Sequence, residues 1–299
     1  MRTMRTWFLE TRPQFLIISL MVVFLGTSVA WYHGYFSLLY FLLALIGLLL
    51  VHISVNTLND YFDYKSGIDL EVKRTPFSGG SGILSAGLLP PVSVGRFGLV
   101  CFLLAIPIGI YFVVILPRGW LLVPVLVTGA LCVLLYTTHI KRWGLGEIAC
   151  GLGLGTLPIL GAYFVQSGTY TWEVVIAAIP SGILLHNALL LNEFPDVEAD
   201  EKGGKKTLTI VMGKKKASLL YSMLLIAMYV WIAVWSIAGF MPIFALLGLL
   251  TLPLGVKAMK GARHYDEESK LIPALGANLM VIIGTQALLA VGYIIAAIV

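Results

Sequence analysis

Apolar runs of about 20 residues recur along the whole chain, separated by short polar connections. A run of that length spans the hydrocarbon core of a bilayer when it is helical. Nine such segments are predicted, at about 14–32, 36–58, 93–116, 120–138, 147–166, 173–192, 217–239, 240–258 and 272–297. The pattern predicts an all-α, polytopic membrane protein in which residues 1–299 form a single transmembrane domain. Met1–Pro13 is polar and runs straight into the first span, so no cleavable leader is expected there.

Charge gives this pattern a direction. With the N-terminus in the cytoplasm, nineteen of the twenty Lys and Arg fall on the cytoplasmic side, leaving only Arg118 outside. That asymmetry is what the positive-inside rule requires, and it predicts an external C-terminus. The net charge of +5 is therefore mostly a topology signal, and no nucleic-acid partner is expected. The apolar fraction of 59% and mean hydropathy of +0.94 agree with residence in a lipid bilayer, here the cell membrane. Cys101, Cys132 and Cys150 lie in or beside apolar runs without paired spacing, and read as packing residues.

Only 12% of the residues are charged, yet ten of the fifteen acids gather around two segments when Glu71, Glu147 and Glu201 are counted with them. NTLNDYFDYKSGID occupies 56–69 and NEFPDVEAD occupies 192–200, each at the end of an apolar run. Both have an Asn followed four residues later by an Asp, then more acids, glycines and a basic cluster. Asn59 and Asn192 are 133 residues apart, which suggests two related helical halves. The predicted cytoplasmic site loops are about 59–92, 139–147 and 193–216.

Residues i and i+4 share a helical face. Asn59 and Asp63 form one stripe bordered by Asn56 and Asp60, and Asn192, Asp196 and Asp200 form another. Pro195 interrupts the second and is expected to kink its helix. Carboxylates crowded on one face repel one another unless a cation neutralises them. Oxygen ligands without clustered Cys or His select Mg²⁺, which keeps water and phosphate oxygens in its shell. The pattern thus points to a phosphorylated substrate, with Lys65, Lys73, Arg74, Lys141, Arg142, Lys205 and Lys206 available to clamp it. A lone N-x-x-x-D at a helix end is ordinarily a solvated terminus, and only the repetition argues for a site. His52 and His186 read as interior hydrogen-bonding residues.

These residues resemble a known family. NDYFDYKSGID and NEFPDVEADEKGGKKTL are similar to the two aspartate-rich motifs of the UbiA superfamily of intramembrane prenyltransferases. YTTHIKRWGLGE at 136–147 and KTLTIVMG resemble the 1,4-dihydroxy-2-naphthoate (menaquinone) branch. The resemblance implies nine helices around a central cavity and a pair of Mg²⁺ ions as cofactor. Asn59, Asp63, Asp196 and Asp200 would hold these ions, with Asp60, Asp69 and Asn192 completing the shell. It implies an isoprenyl diphosphate such as geranylgeranyl diphosphate as donor and an aromatic acceptor.

Asn56, Lys65, Arg74, Lys141, Arg142, Lys206 and Asn192 are the expected substrate contacts, and Tyr136 and Glu147 join Asp63 and Asp196 as catalytic candidates. Glu147 is equally readable as an acid at a helix N-terminus. The alternatives are another acceptor (geranylgeranylglyceryl phosphate, a haem or a chlorophyll precursor) or a secondary transporter. A transporter places its carboxylates near the bilayer midplane rather than at helix ends.

Overall fold

The computed structural model describes residues 2–68 and 74–299, and every regular element among them is helical. A short amphipathic helix, α1 (Arg2–Glu10), precedes the first span, α2 (Pro13–Tyr32). The spans that follow are α3 (Leu38–Lys65), α4 (Pro91–Ile115), α6 (Gly146–Ser167), α7 (Trp172–Asn192), α10 (Lys214–Ile237), α11 (Ile243–Ala262) and α12 (Glu268–Ile298). Among the described residues these eight helices are long and apolar enough to cross a membrane, which makes the chain an integral membrane protein.

The fourth predicted span differs from expectation. Helix α5 (Gly119–Leu134) is shorter than the others and stops before Tyr136. The chain then coils through Leu135–Leu145, held by His139 and Ile140 N–H groups donating to the Leu135 carbonyl and by Lys141 N–H to Tyr136. Polar residues from Tyr136 onward thus leave the helix and turn back over the end of the bundle.

Local chemistry sets the ends of the elements. The Ser37 hydroxyl accepts from Tyr40 N–H at the start of α3, and Thr171 accepts from Val174 N–H at the start of α7. Pro13 opens α2, where a missing N–H costs nothing. Arg12, just before it, sits in the left-handed region at φ 55°. Helix α7 ends at Asn192 rather than kinking at Pro195. A turn over Glu193–Asp196 follows, and then the short helix α8 (Val197–Lys202). A second short helix, α9 (Leu208–Met212), is capped by Thr207.

The core lies between α2, α6, α7, α10, α11 and α12, where Val22, Leu25, Ile159, Leu184, Leu225 and Leu289 are fully buried. Leucines and valines on the outer faces, such as Leu103, Val114 and Leu219, are exposed and meet lipid. Small residues bring α6 and α7 together: a Cβ on Gly155 would lie 2.6 Å from the Ser181 carbonyl oxygen, and one on Gly151 2.7 Å from that of Gly182. A π-helical stretch, Gly151–Thr156, covers this contact. Buried hydroxyls tie α10 to α11 and α12, with Tyr229 to Thr251 at 3.0 Å and Thr251 to Thr285 at 2.8 Å.

Gly129 in α5 is different, since a Cβ there meets nothing within 4 Å. Replacing Gly155 by Val is expected to cost about 1–3 kcal/mol through forced separation of the two helices. Gly129→Ala should leave stability unchanged or raise it by up to ~1 kcal/mol. Thermal unfolding in detergent reads both, and equal melting shifts would remove Gly155 from the helix contact.

Candidate active site

The ends of α3 and α7, the α5–α6 connection and the segment around α8 converge on one cavity at the same end of the bundle. Its volume is about 220 Å³. Asn56, Asn59 and Asp63 line it from α3, and Asn192, Asp196 and Asp200 from the other side. The two acidic segments, far apart in sequence, therefore face each other across a single space.

Lys205 joins them. Its ammonium donates to Asp63 Oδ2 at 3.0 Å and to Asp200 Oδ1 at 2.8 Å, and all three side chains are buried. Asn59 Nδ2 also donates to Asp63 Oδ2, at 2.9 Å, while Asn59 Oδ1 accepts from the Thr137 hydroxyl at 3.2 Å. The i, i+4 stripe is thus one hydrogen-bonded unit. Asp196 Oδ2 accepts from Gly79 N–H at 3.1 Å, so the glycine-rich loop reaches the second cluster.

Among the described residues several carboxylate oxygens have no donor: Asp63 Oδ1, Asp196 Oδ1 and both oxygens of Glu193 are buried and unpartnered. Burial, with Asp200 nearby, pushes Asp196 up to about 6. Glu193 is raised well above the carboxylate range, by burial first and then by Glu147. Hard, anionic oxygens lacking donors are what a divalent cation satisfies. Among the described residues no three acids, histidines or thiols converge as a ready-made ion cage. Magnesium suits such a site, since it takes one or two carboxylates and fills its shell from phosphate and water.

Lys141 is buried and sits 5.0 Å from the centre of the Tyr136 ring. Burial works against its charge, but Asp63, Asp200 and Glu193 outweigh this and hold its pKa above the ordinary value. Burial raises the Tyr136 phenol well above its usual range, so it stays protonated. Arg12 also lines the cavity, its guanidinium 3.4 Å from Asp60 Oδ1, and Asn56 Nδ2 donates to the Thr11 carbonyl at 3.0 Å. The strained turn before α2 thereby folds the N-terminal segment over the site.

Other expected residues lie elsewhere. Lys65, Arg74, Arg142 and Lys206 are exposed and do not line the cavity. Arg74 is spent on the Ser81 carbonyl, and Lys206 contributes only a backbone N–H to Lys141 O, at 3.0 Å. Asp60 is buried but faces away from the cavity, accepting from Ser81 N–H at 2.8 Å. Glu147 is buried outside the cavity, where its Oε1 accepts from Leu208 N–H at 2.6 Å and anchors the start of α9. Asp69 lies outside the described residues. Glu193 and Arg12 are cavity residues outside the expected set, and Lys205, one of the possible phosphate clamps, lines the cavity where Lys206 is the expected contact.

A second, apolar space of about 520 Å³ lies between α3, α4, α5 and α6. It shares the lining residues Leu48, Val51, Gly129 and Gly153 with the first, so the two spaces adjoin.

With this geometry in view, residues 19–295 match the sequence model of the UbiA prenyltransferase family. The 1,4-dihydroxy-2-naphthoate octaprenyltransferase of Bacillus subtilis is 30% identical over 268 residues, covering 89% of this chain and 84% of that protein. Its namesake from Escherichia coli is 26% identical over 295 residues, covering 94% of each. Among solved structures, the apo form of a UbiA homologue from Aeropyrum pernix superposes with a TM-score of 0.70 at 17% identity, covering 94% of this chain and 97% of that one. A UbiA homologue from Archaeoglobus fulgidus, bound to GPP and Mg²⁺, gives 0.62 at 11% identity, covering 96% and 99%. These structures share the fold. The chain belongs to the UbiA prenyltransferase family and is a membrane-embedded prenyltransferase.

Proposed function

We propose that this chain transfers the isoprenyl group of a prenyl diphosphate to an aromatic acceptor of the 1,4-dihydroxy-2-naphthoate type, the prenylation step of menaquinone synthesis. One observation carries the reading: two facing groups of carboxylates cap a cavity that adjoins an apolar space. The acceptor class rests on the relatives from B. subtilis and E. coli. The site faces the cytoplasm in this reading, because nineteen of twenty basic residues belong to that side.

Asn59, Asp63, Asp196 and Asp200 would hold magnesium, two ions in all. Bound there, it supplies positive charge to the departing diphosphate. Lys141, Lys205 and Arg12 add fixed cations around the same oxygens, so charge that grows on the leaving group meets preorganised donors. The Tyr136 face, its phenol protonated, offers π-density to an allylic cation. The apolar walls keep out the water that would quench it. The donor's tail occupies the second space, reached past Gly129.

Asp63→Asn and Asp196→Asn are each expected to lower Mg²⁺-dependent turnover at least about a hundredfold, with unchanged elution from a sizing column. Near-normal product formation in either variant would remove that residue from the ion site. Magnesium and protons compete for Asp196, whose pKa stands near 6. Apparent Mg²⁺ affinity should therefore be level above neutrality and weaken as pH drops through 6. Titration at a series of pH values checks this, and a flat profile there contradicts the assignment. Gly129→Leu should depress turnover of geranylgeranyl diphosphate far more than that of dimethylallyl diphosphate, because it narrows the passage used only by a long tail. Equal losses on both donors would place the tail elsewhere.

A further inference from the structure

Two buried polar side chains on the cavity wall have no part in the chemistry described so far. His52, on α3, is 3% exposed, and Asn278, on α12, is 2% exposed; both line the cavity. Each is fixed from behind. Ser19 Oγ lies 2.8 Å from His52 Nδ1, and the Tyr221 hydroxyl donates to Asn278 Oδ1 at 2.8 Å. Neither the Nε2 of His52 nor the amide nitrogen of Asn278 has a hydrogen-bond partner among the described residues. Polar groups committed at one end and open at the other, on the wall of a cavity, are placed to be completed by a ligand, or by water until one binds.

The chemistry of the two open ends is selective. Asn278 presents a donor, because its amide N–H groups are uncommitted. His52 presents a donor or an acceptor, depending on which nitrogen holds the proton. A hydroxyl satisfies either tautomer, and any ring oxygen satisfies the amide. An isoprenoid tail has neither group. Phe15, Phe77, Leu279 and Ile282 supply the flat apolar walls a ring requires.

Depth fits as well. His52, Asn56, Asn59 and Asp63 follow one stripe of α3, and all four line the cavity. His52 is seven residues before Asn59, which places it roughly 10 Å deeper along the helix. A diphosphate at the level of Asn59 and Asp63 leaves its first allylic carbon between those residues and His52.

We infer that His52 and Asn278 form the acceptor subsite, hydrogen-bonding the ring oxygens of a hydroxylated bicyclic aromatic and presenting its ring carbon to the allylic end of the donor. This inference rests on the proposed function for the identity of the acceptor. It divides the cavity: the tail leaves on the α5 side and the ring enters on the α12 side.

The test measures acceptor binding and turnover separately. Calorimetry with 1,4-dihydroxy-2-naphthoate and no donor should show binding weakened about tenfold or more in His52→Leu and in Asn278→Leu, with His52→Gln retaining most of it. In steady state the acceptor KM should rise by a similar factor while the donor KM stays unchanged. An acceptor lacking one ring hydroxyl should incur the same penalty with the wild-type protein, and at least one of the two Leu variants should lose nothing further on it. Unchanged acceptor binding in both Leu variants, equal rises in both KM values, or penalties that add in full for both variants would each overturn the subsite. If His52→Leu does not fold, Asn278→Leu with the same two acceptors decides. Weakened binding in the variants, together with a wild-type protein that alkylates no acceptor, would overturn the proposed reaction and leave the subsite standing.

Discussion

Charge buried at the end of an apolar bundle has to be neutralised from within the protein, and Lys205 is the residue that does it. It reaches Asp63 from one acidic segment and Asp200 from the other, so one ammonium bridges the two segments. Two carboxylates that close in a poorly solvated space would otherwise repel or take up protons. Removing one member of such a buried group leaves the others uncompensated, at a cost of about 3–5 kcal/mol. Those pairs organise their surroundings. Lys205 fixes the path of the chain after α8, the Lys206 N–H then meets Lys141 O, and Glu147 takes the Leu208 N–H. The same contacts seat Lys141 beside Tyr136. The same two aspartates are also proposed ion ligands, so a divalent cation would compete with the ammonium for them.

Parts of this arrangement were legible in the sequence, and helical periodicity explains which. Asn59 and Asp63 could be paired from spacing alone because α3 runs unbroken to Lys65. The second stripe obeys its spacing less directly. Asn192 ends one helix and Asp200 lies in another, yet the turn containing Pro195 keeps Asn192, Asp196 and Asp200 on the cavity. Once the chain leaves a helix, spacing no longer gives direction. That is why Lys206 was preferred to Lys205, and why exposed Lys65, Arg74 and Arg142 looked equivalent to buried Lys141. Asp60 is next to Asn59 in sequence but turns to the glycine-rich loop and Arg12. The end of the fourth span is misplaced for a related reason, since spacing does not show that the backbone turns after Leu134.

The uneven polarity of the cavity follows from the same folding constraints. Helix α5 is short and loosely held, and its Gly129 faces open space, so the wall on that side is apolar. An interior glycine costs a helix up to ~1 kcal/mol relative to alanine. No neighbour requires the small residue at 129, so the room it leaves is the remaining physical reason for it. On the opposite side α2 packs against α12, and polar groups there are held by neighbouring helices: His52 of α3 by Ser19, Asn278 by Tyr221 of α10. A tail with no hydrogen-bonding groups and a ring bearing oxygens would therefore be sorted by the two walls before either reaches the carboxylates. In this arrangement the metal and basic residues need to recognise only the diphosphate, which every donor carries. Acceptor discrimination falls to groups a full two helical turns deeper, where bulk water does not compete for their hydrogen bonds.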